Sequence, residues 1–329
     1  MGLTALAAVG LAAALDAAVA EPPSRVHPIA AFGRVVDAVD REWTRPRAVG
    51  VAVALVLPLA FAAVAWGVVE GTASVVADAE IGAVPSAVAT AVVAGVALFS
   101  LVSLRMLVSV ATEVIEAAEG DADAARESAI ALVGRDTSTL SAAEIRSAAV
   151  ESAAENLADG LVAPLVAFAV GAQASPAVGV AAAAWVKGVN TLDSMLGYPG
   201  TPVGTASARL DDAVMWVPAR VSAVLLAVAA GSPGSLLDAR EWARVPASPN
   251  SGWPMATAAA ALGVRLSKPG AYVLNPDADL PSLAAARAGV RAVAIAGALA
   301  FLLAGVAVAG PSAATPAAPP AVTGVAAWP

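Results

Sequence analysis

"VGVAVALVLPLAFAAVAWGVV", residues 49–69, runs for 21 residues without a charged side chain. A hydrocarbon core ~30 Å thick takes roughly 20 residues of helix at about 1.5 Å each. The stretch is therefore long enough to cross a bilayer. Three more runs have the same character: Leu3–Ala20, Gly82–Leu104 and Ala292–Gly310. The first also carries "AVAE" at 18–21, which looks like a signal-peptide cleavage site. No basic residue precedes it and Asp16 interrupts it, so a retained span is the preferred reading.

Composition agrees with a membrane protein. Of 329 residues, 59% are hydrophobic and 13% charged, and mean hydropathy is +0.78. Soluble domains carry about 25% charged residues. Few aromatics contribute, so the excess is Ala, Val and Leu, which form helices readily. Net charge is −8, with Lys187 and Lys268 the two lysines, and phosphate backbones need a basic patch, so nucleic acid is excluded as a partner. With no cysteine, disulfides, iron–sulfur clusters and thiol catalysis are excluded too.

Orientation follows the arginines. The loop at 21–48 holds Arg25, Arg34, Arg41, Arg45 and Arg47, which predicts a cytoplasmic position. The loop at 70–81 holds Glu70, Asp78 and Glu80 and no base, which predicts the outside. Residues 105–160 then return to the cytoplasm. Leu161–Val170 and Ala177–Val186 are each about ten residues, broken by "GAQASP". Two such half-spans predict a re-entrant helical hairpin over 161–186, with one long kinked span as the competing reading. Residues 214–230 are ambiguous, because Pro218 and Arg220 interrupt them. The expected fold is all-α and polytopic. It has about four transmembrane helices, a re-entrant hairpin and cytoplasmic helical loops. Residues 1–310 form one membrane-embedded domain, and the Pro- and Ala-rich 311–329 a disordered tail.

Against this apolar background stand five polar stretches, each flanking a membrane segment. In "ESAAENLADGLVAPL" (151–165), Glu151, Glu155 and Asp159 recur every four residues, which puts them on one helix face. Ser141-x-x-Glu144 is a capping-box signature for the start of that helix. Asn190 and Asp193 lie three apart, and Arg209 is followed by Asp211 and Asp212. Carboxylates with amides hold Mg²⁺, and arginines bind phosphate oxygens bidentately. The set therefore points to a phosphorylated, anionic ligand with a divalent metal. Taken singly, each residue reads equally well as a solvated helix end. His27 is the one histidine, and neither a phosphate-binding Gly-rich loop nor a Ser-His-Asp arrangement is present.

Six motifs carry a family resemblance: "HPIAAFGR" (27–34), "GRDTSTLS" (134–141), "AVESAAENLADGLVAPL" (149–165), "VNTLDSMLGY" (189–198), "ASARLDDAVMWVPAR" (206–220) and "SPNSGWP" (248–254). Together, and in this order, they resemble the adenosylcobinamide-phosphate synthase family of cobalamin biosynthesis, the CbiB/CobD type. The resemblance covers roughly Leu15 to Leu266. It implies a multi-pass protein of the cell membrane, active face cytoplasmic. The implied activity is a carbon–nitrogen ligase that uses ATP and Mg²⁺ to join adenosylcobyric acid to aminopropanol or its O-phosphate. Other cobalamin-biosynthesis enzymes are implied partners. After "LDSMLGY" the family carries a longer segment with basic and aromatic residues, where this chain has the short, uncharged "PGTPVGT" (199–205).

The resemblance implies roles for particular residues. Catalytic candidates are Glu151, Glu155, Asp159 and Asp193. Substrate- and phosphate-binding candidates are His27, Arg34, Arg135, Asn156, Lys187, Asn190, Arg209 and Asn250. Asp193, Asp211 and Asp212 are the metal candidates. The rival from another class is a transporter of a small anionic solute, since broken helices and buried carboxylates suit transporters too. The lack of an internal repeat and the clustering of polar motifs on one face argue against it.

Overall fold

The computed structural model of the chain describes residues 1–78, 86–120, 139–198 and 200–310. Arg135 and the expected disordered tail at 311–329 lie outside these residues.

Helices dominate, as composition predicts. They begin with α1 (Gly2–Val19), α2 (Pro28–Asp37), α3 (Pro46–Asp78), α4 (Ser86–Phe99) and α5 (Leu104–Gly120). Next comes α6 (Ala142–Leu157), which passes through a π-type turn (Ala158–Val162) into α7 (Ala163–Gly171). Then follow α8 (Pro176–Leu196), α9 (Thr205–Val214), α10 (Trp216–Ala229), the short α11 (Ser235–Asp238) and α12 (Gly252–Leu262). A two-stranded antiparallel hairpin, β1 (Leu266–Lys268) and β2 (Tyr272–Leu274), precedes α13 (Leu283–Ala309). Among the described residues, five helical stretches are long and apolar enough to cross a membrane: Gly2–Val19, Pro46–Val76, Ser86–Gly120, Ala142–Gly171 and Leu283–Ala309. The fifth beyond the expected four is Ala142–Gly171. Its polar first half hides a helix that stays continuous through the π-type turn.

Small residues set the packing. Ala5, Ala8 and Ala12 of α1 are buried with Ala91 and Ala94 of α4, and Gly95 faces Ala8 and Leu11. Such residues let helix backbones approach closely where lipid offers no hydrophobic driving force. Leu55, Val56, Leu59, Val64 and Trp66 of α3 are exposed, as a lipid-facing surface requires. At one end of the bundle, Met1, Thr4, Ala73, Ser74, Ser86, Thr90 and Pro176 surround one cavity. At the other, the Asp16 carboxylate on α1 accepts from the backbone N–H of Leu104 at 2.9 Å and of Arg105 at 3.1 Å. These are orphan donors at the start of α5, so Asp16 caps a helix from 88 residues away.

A helical hairpin joins Ala142–Gly171 to α8, and both arms are longer than the ten-residue half-spans expected of a re-entrant element over 161–186. Ser175 caps α8 by accepting from Val178 N–H at 3.1 Å, and Pro176 sits in the first turn where no N–H is needed. The tip is level with Met1: Pro176 shares the Met1 cavity, and Gln173 Nε2 donates to the Ala307 carbonyl at 3.2 Å. Its second arm, α8, continues to Leu196, about 31 Å of helix. Both arms return to the end opposite Met1. There α5, α6, α12, the strands and the start of α13 form a polar cap. Ser141 and Glu144 make the predicted capping box, and Arg287 pairs with Glu116 at 2.5 Å. The ambiguous 214–230 segment is a single helix, α10, set at 48° to the preceding α9 with the break at Met215.

Candidate active site

The π-type turn sits where the cap meets the bundle, and it carries Asp159. Turns of this kind are frequent at functional sites. On the facing arm, Lys187 and Asn190 are three residues apart and share a helix face. Lys187 Nζ donates to the Asp159 carbonyl at 3.3 Å, and Asn190 Nδ2 donates to Asp159 Oδ2 at 3.3 Å. From α9, buried Asp211 comes within hydrogen-bond reach of Asn190 and electrostatic reach of Asp159, Asp193 and Asp212. Its Oδ1 has no hydrogen-bond partner among the described residues. Lys187 feels Asp159, Asp211 and Glu21. Lys187 is thus shared by Asp159 and Asp211, with Asp193 and Asp212 in electrostatic reach of Asp211.

A second network fixes Asp212. Asn250 Nδ2 donates to the Asp212 carbonyl at 2.7 Å, and Ser248 Oγ to Asp212 Oδ1 at 3.3 Å. Arg220 Nη1 donates to Asn250 Oδ1 at 2.5 Å. Its guanidinium lies over Trp216 and Trp253, at 4.6 Å and 5.3 Å from the ring centroids. Two of the six motifs are joined here. Arg220 was not among the expected site residues; the four-residue spacing from Trp216 was its signal.

Beside Lys187 opens a cavity of about 740 Å³, lined also by Glu21, His27, Ser103, Thr191 and Met195. His27 caps α2, its Nδ1 accepting from Ile29 N–H at 3.2 Å. Nδ1 is therefore the unprotonated nitrogen, and Nε2 faces Glu21 at 3.9 Å. Burial pushes the imidazole below its ordinary value, with Lys187 acting in the same direction and Glu21 opposing both. Glu21 was also not expected at the site; nothing in its local sequence marks it.

The three carboxylates expected on one face are divided. Glu151 is buried against the cap and accepts from Tyr272 Oη at 2.8 Å. Glu155 is half-buried between the two regions, and the Asn156 amide donates back to the Ser152 carbonyl at 3.0 Å. Asp159 meets α8 through its hydrogen bond with Asn190 while Glu151 turns to the cap, because each four-residue step on an α-helix drifts round the axis and the π-type turn adds to the drift. Arg34 lies on the exposed face of α2, outside the cavity lining. Arg209 lines a pocket whose lining contains neither of the aspartates it precedes.

Magnesium can be tested against this donor set. Among the described residues no three acidic or histidine side chains form a ready metal cage. Mg²⁺ does not need one, since it keeps several waters and binds through one or two carboxylates plus phosphate oxygens. The buried, unpartnered Oδ1 of Asp211, with Asp193 and Asp212 nearby, fits that mode.

The family model described as CobD/CbiB protein matches residues 9–307, which takes in every motif above. The chain belongs to the CobD/CbiB family. It is 33% identical to a probable cobalamin biosynthesis protein CobD of Methanothrix thermoacetophila, over 89% of this chain and 95% of that one. It is 35% identical to the cobalamin biosynthesis protein CobD of Geobacter metallireducens, over 83% and 84%. A 41% match to the Yersinia enterocolitica protein of that name covers 53% and 56%. No solved structure matches the chain.

Proposed function

We propose that this CobD/CbiB protein is the amide ligase of cobalamin biosynthesis that joins adenosylcobyric acid to aminopropanol or its O-phosphate, with ATP as the energy source. The names of its relatives support the pathway. The observation that carries the chemistry is the aspartate cluster beside Lys187, with the buried, unpartnered Oδ1 of Asp211. A carboxylate and an amine do not condense in water unaided. Phosphoryl transfer from ATP makes the carboxylate an acyl phosphate; the amine attacks its carbon and phosphate leaves. Lys187 is the cation that receives the reacting corrinoid side chain from the 740 Å³ cavity. The incoming ammonium must lose a proton; Asp159, which accepts from Asn190, would serve as the base, with Glu155 nearby on the same helix. Asp193, Asp211 and Asp212 would hold Mg²⁺, which neutralises charge on ATP when bound.

The cap end faces the cytoplasm in this reading, because the arginine-rich 21–48 loop lies there. Purified protein given adenosylcobyric acid, ATP, Mg²⁺ and either amino alcohol should yield the amide, detected by mass. No product with either amino alcohol would remove the ligase reading.

A further inference from the structure

At the cap end of α3 lies a second, separate pocket of about 480 Å³, lined by Arg47, Gly197, Tyr198, Thr201, Thr205 and Arg209 among others. We infer that it is a binding site for a phosphate group, and, resting on the ligase reading above, that its occupant is the phosphate of a phosphorylated amino alcohol.

Charge is the first argument. The protein has 26 acidic and 18 basic residues, yet this lining contains two arginines and no carboxylate. Neither guanidinium has an ion pair among the described residues. Three hydroxyls, from Tyr198, Thr201 and Thr205, complete a donor-rich concavity. Guanidinium forks match phosphate oxygens in pairs, and hydroxyls satisfy the rest.

Preorganisation is the second. The 200–204 loop is uncharged, so its positive charge must come from elsewhere. Gly50 supplies the means: it lies so close to the Val203 carbonyl that a Cβ there would collide with it. Gly204 likewise fits against the Leu196 carbonyl. The loop is thereby pressed onto α3, and Arg47, one turn before Gly50, is brought beside it. Thr205 and Arg209 share a face of α9 on the other side.

Connection to the aspartates is the third. Gly197 lines the pocket, and Asp193 Oδ1 lies directly behind it, close enough that a Cβ would clash. A ligand with its phosphate between Arg47 and Arg209 can therefore direct its other end, the amine, toward the acidic cluster. Arg47 and Arg209 would then discriminate the phosphorylated amino alcohol from the free one.

The test is calorimetry on the full chain in nanodiscs of zwitterionic lipid, titrated with inorganic phosphate, aminopropanol O-phosphate and free aminopropanol. Arg47→Ala and Arg209→Ala should each weaken the first two about ten- to a hundredfold and leave free aminopropanol unchanged. Arg47→Lys should recover part of the loss, and added salt should weaken binding to the wild type. Equal affinities in wild type and both variants would overturn the site. A parallel arm uses discs with anionic lipid: variants that shed bound lipid but keep wild-type phosphate affinity would give the pocket to a lipid headgroup and overturn the amino-alcohol assignment. Arginine-dependent phosphate binding by a protein that forms no amide would keep the site and strike out the proposed function.

Discussion

Asn190 donates its side-chain amide to Asp159 Oδ2 across the two arms of the hairpin, at 3.3 Å. The bond ties a π-type turn on one arm to an α-helix on the other, and Asp211 of α9 approaches the same amide. Three separate motifs therefore meet at one side chain. A scaffold with no reaction to perform would gain little here, since carboxylates brought this close repel one another.

The sharp turn after α8 depends on a missing side chain. Gly204→Ala would drive a Cβ into the Leu196 carbonyl, whereas Gly10 on α1 has nothing within 4 Å of an added Cβ. Gly204→Ala should lower the melting temperature in detergent and shift the 200–204 loop. Gly10→Ala should be neutral or slightly stabilising, by up to about 1 kcal/mol. Equal melting temperatures for Gly204→Ala and wild type would contradict the packing described.

His27 gives a pH signature. Its folded value is lowered from 6.5 because burial disfavours the charged ring. Below that ordinary value the unfolded chain binds a proton that the folded chain resists, so stability falls as pH drops below about 6.5. Protonating Nδ1 also removes the acceptor for Ile29 N–H. The melting temperature should therefore decline on acidification through this window. His27→Asn, which keeps a capping acceptor, should flatten the decline. An unchanged slope in that variant would remove His27 from the account.

The depth of the hairpin can be measured in cells. The chain has no cysteine, so single cysteines report cleanly. Gln173→Cys, at the tip level with Met1, should react with an impermeant thiol reagent added outside. Ser194→Cys, on the returning arm, should react only after the membrane is opened. Outside labelling of both positions would mean that α8 ends on the outer face and that the cap is not cytoplasmic.

Much of the fold was legible because lipid imposes simple rules. Residues 49–69 could only be a buried or spanning helix, and "GAQASP" marked the break before α8. Ser141 and Glu144 marked α6 in the same way. What remained hidden came from two causes. A π-type turn has no propensity signal, so Glu151 and Asp159 seemed to share a face when they address different partners. Tertiary approach was the other cause. Nothing local to Arg47, Glu21 or Tyr272 says that they will meet Arg209, His27 and Glu151, because those meetings depend on how α3, α1 and the β-hairpin pack.

The central claim is that the cluster around Lys187 is where the amide forms. Its most direct test is the rate of amide formation, with both amino alcohols at saturation, in Asp211→Asn and Asn190→Leu against Arg287→Ala. Arg287 belongs to the cap and pairs with Glu116, away from the cluster. Losing a charge-assisted contact of about 1.5–3 kcal/mol corresponds to roughly ten- to a hundredfold. Asp211→Asn and Asn190→Leu should slow the reaction by at least that much while remaining folded, and Arg287→Ala should keep the wild-type rate. Wild-type rates in all three would place the reaction elsewhere and contradict the account.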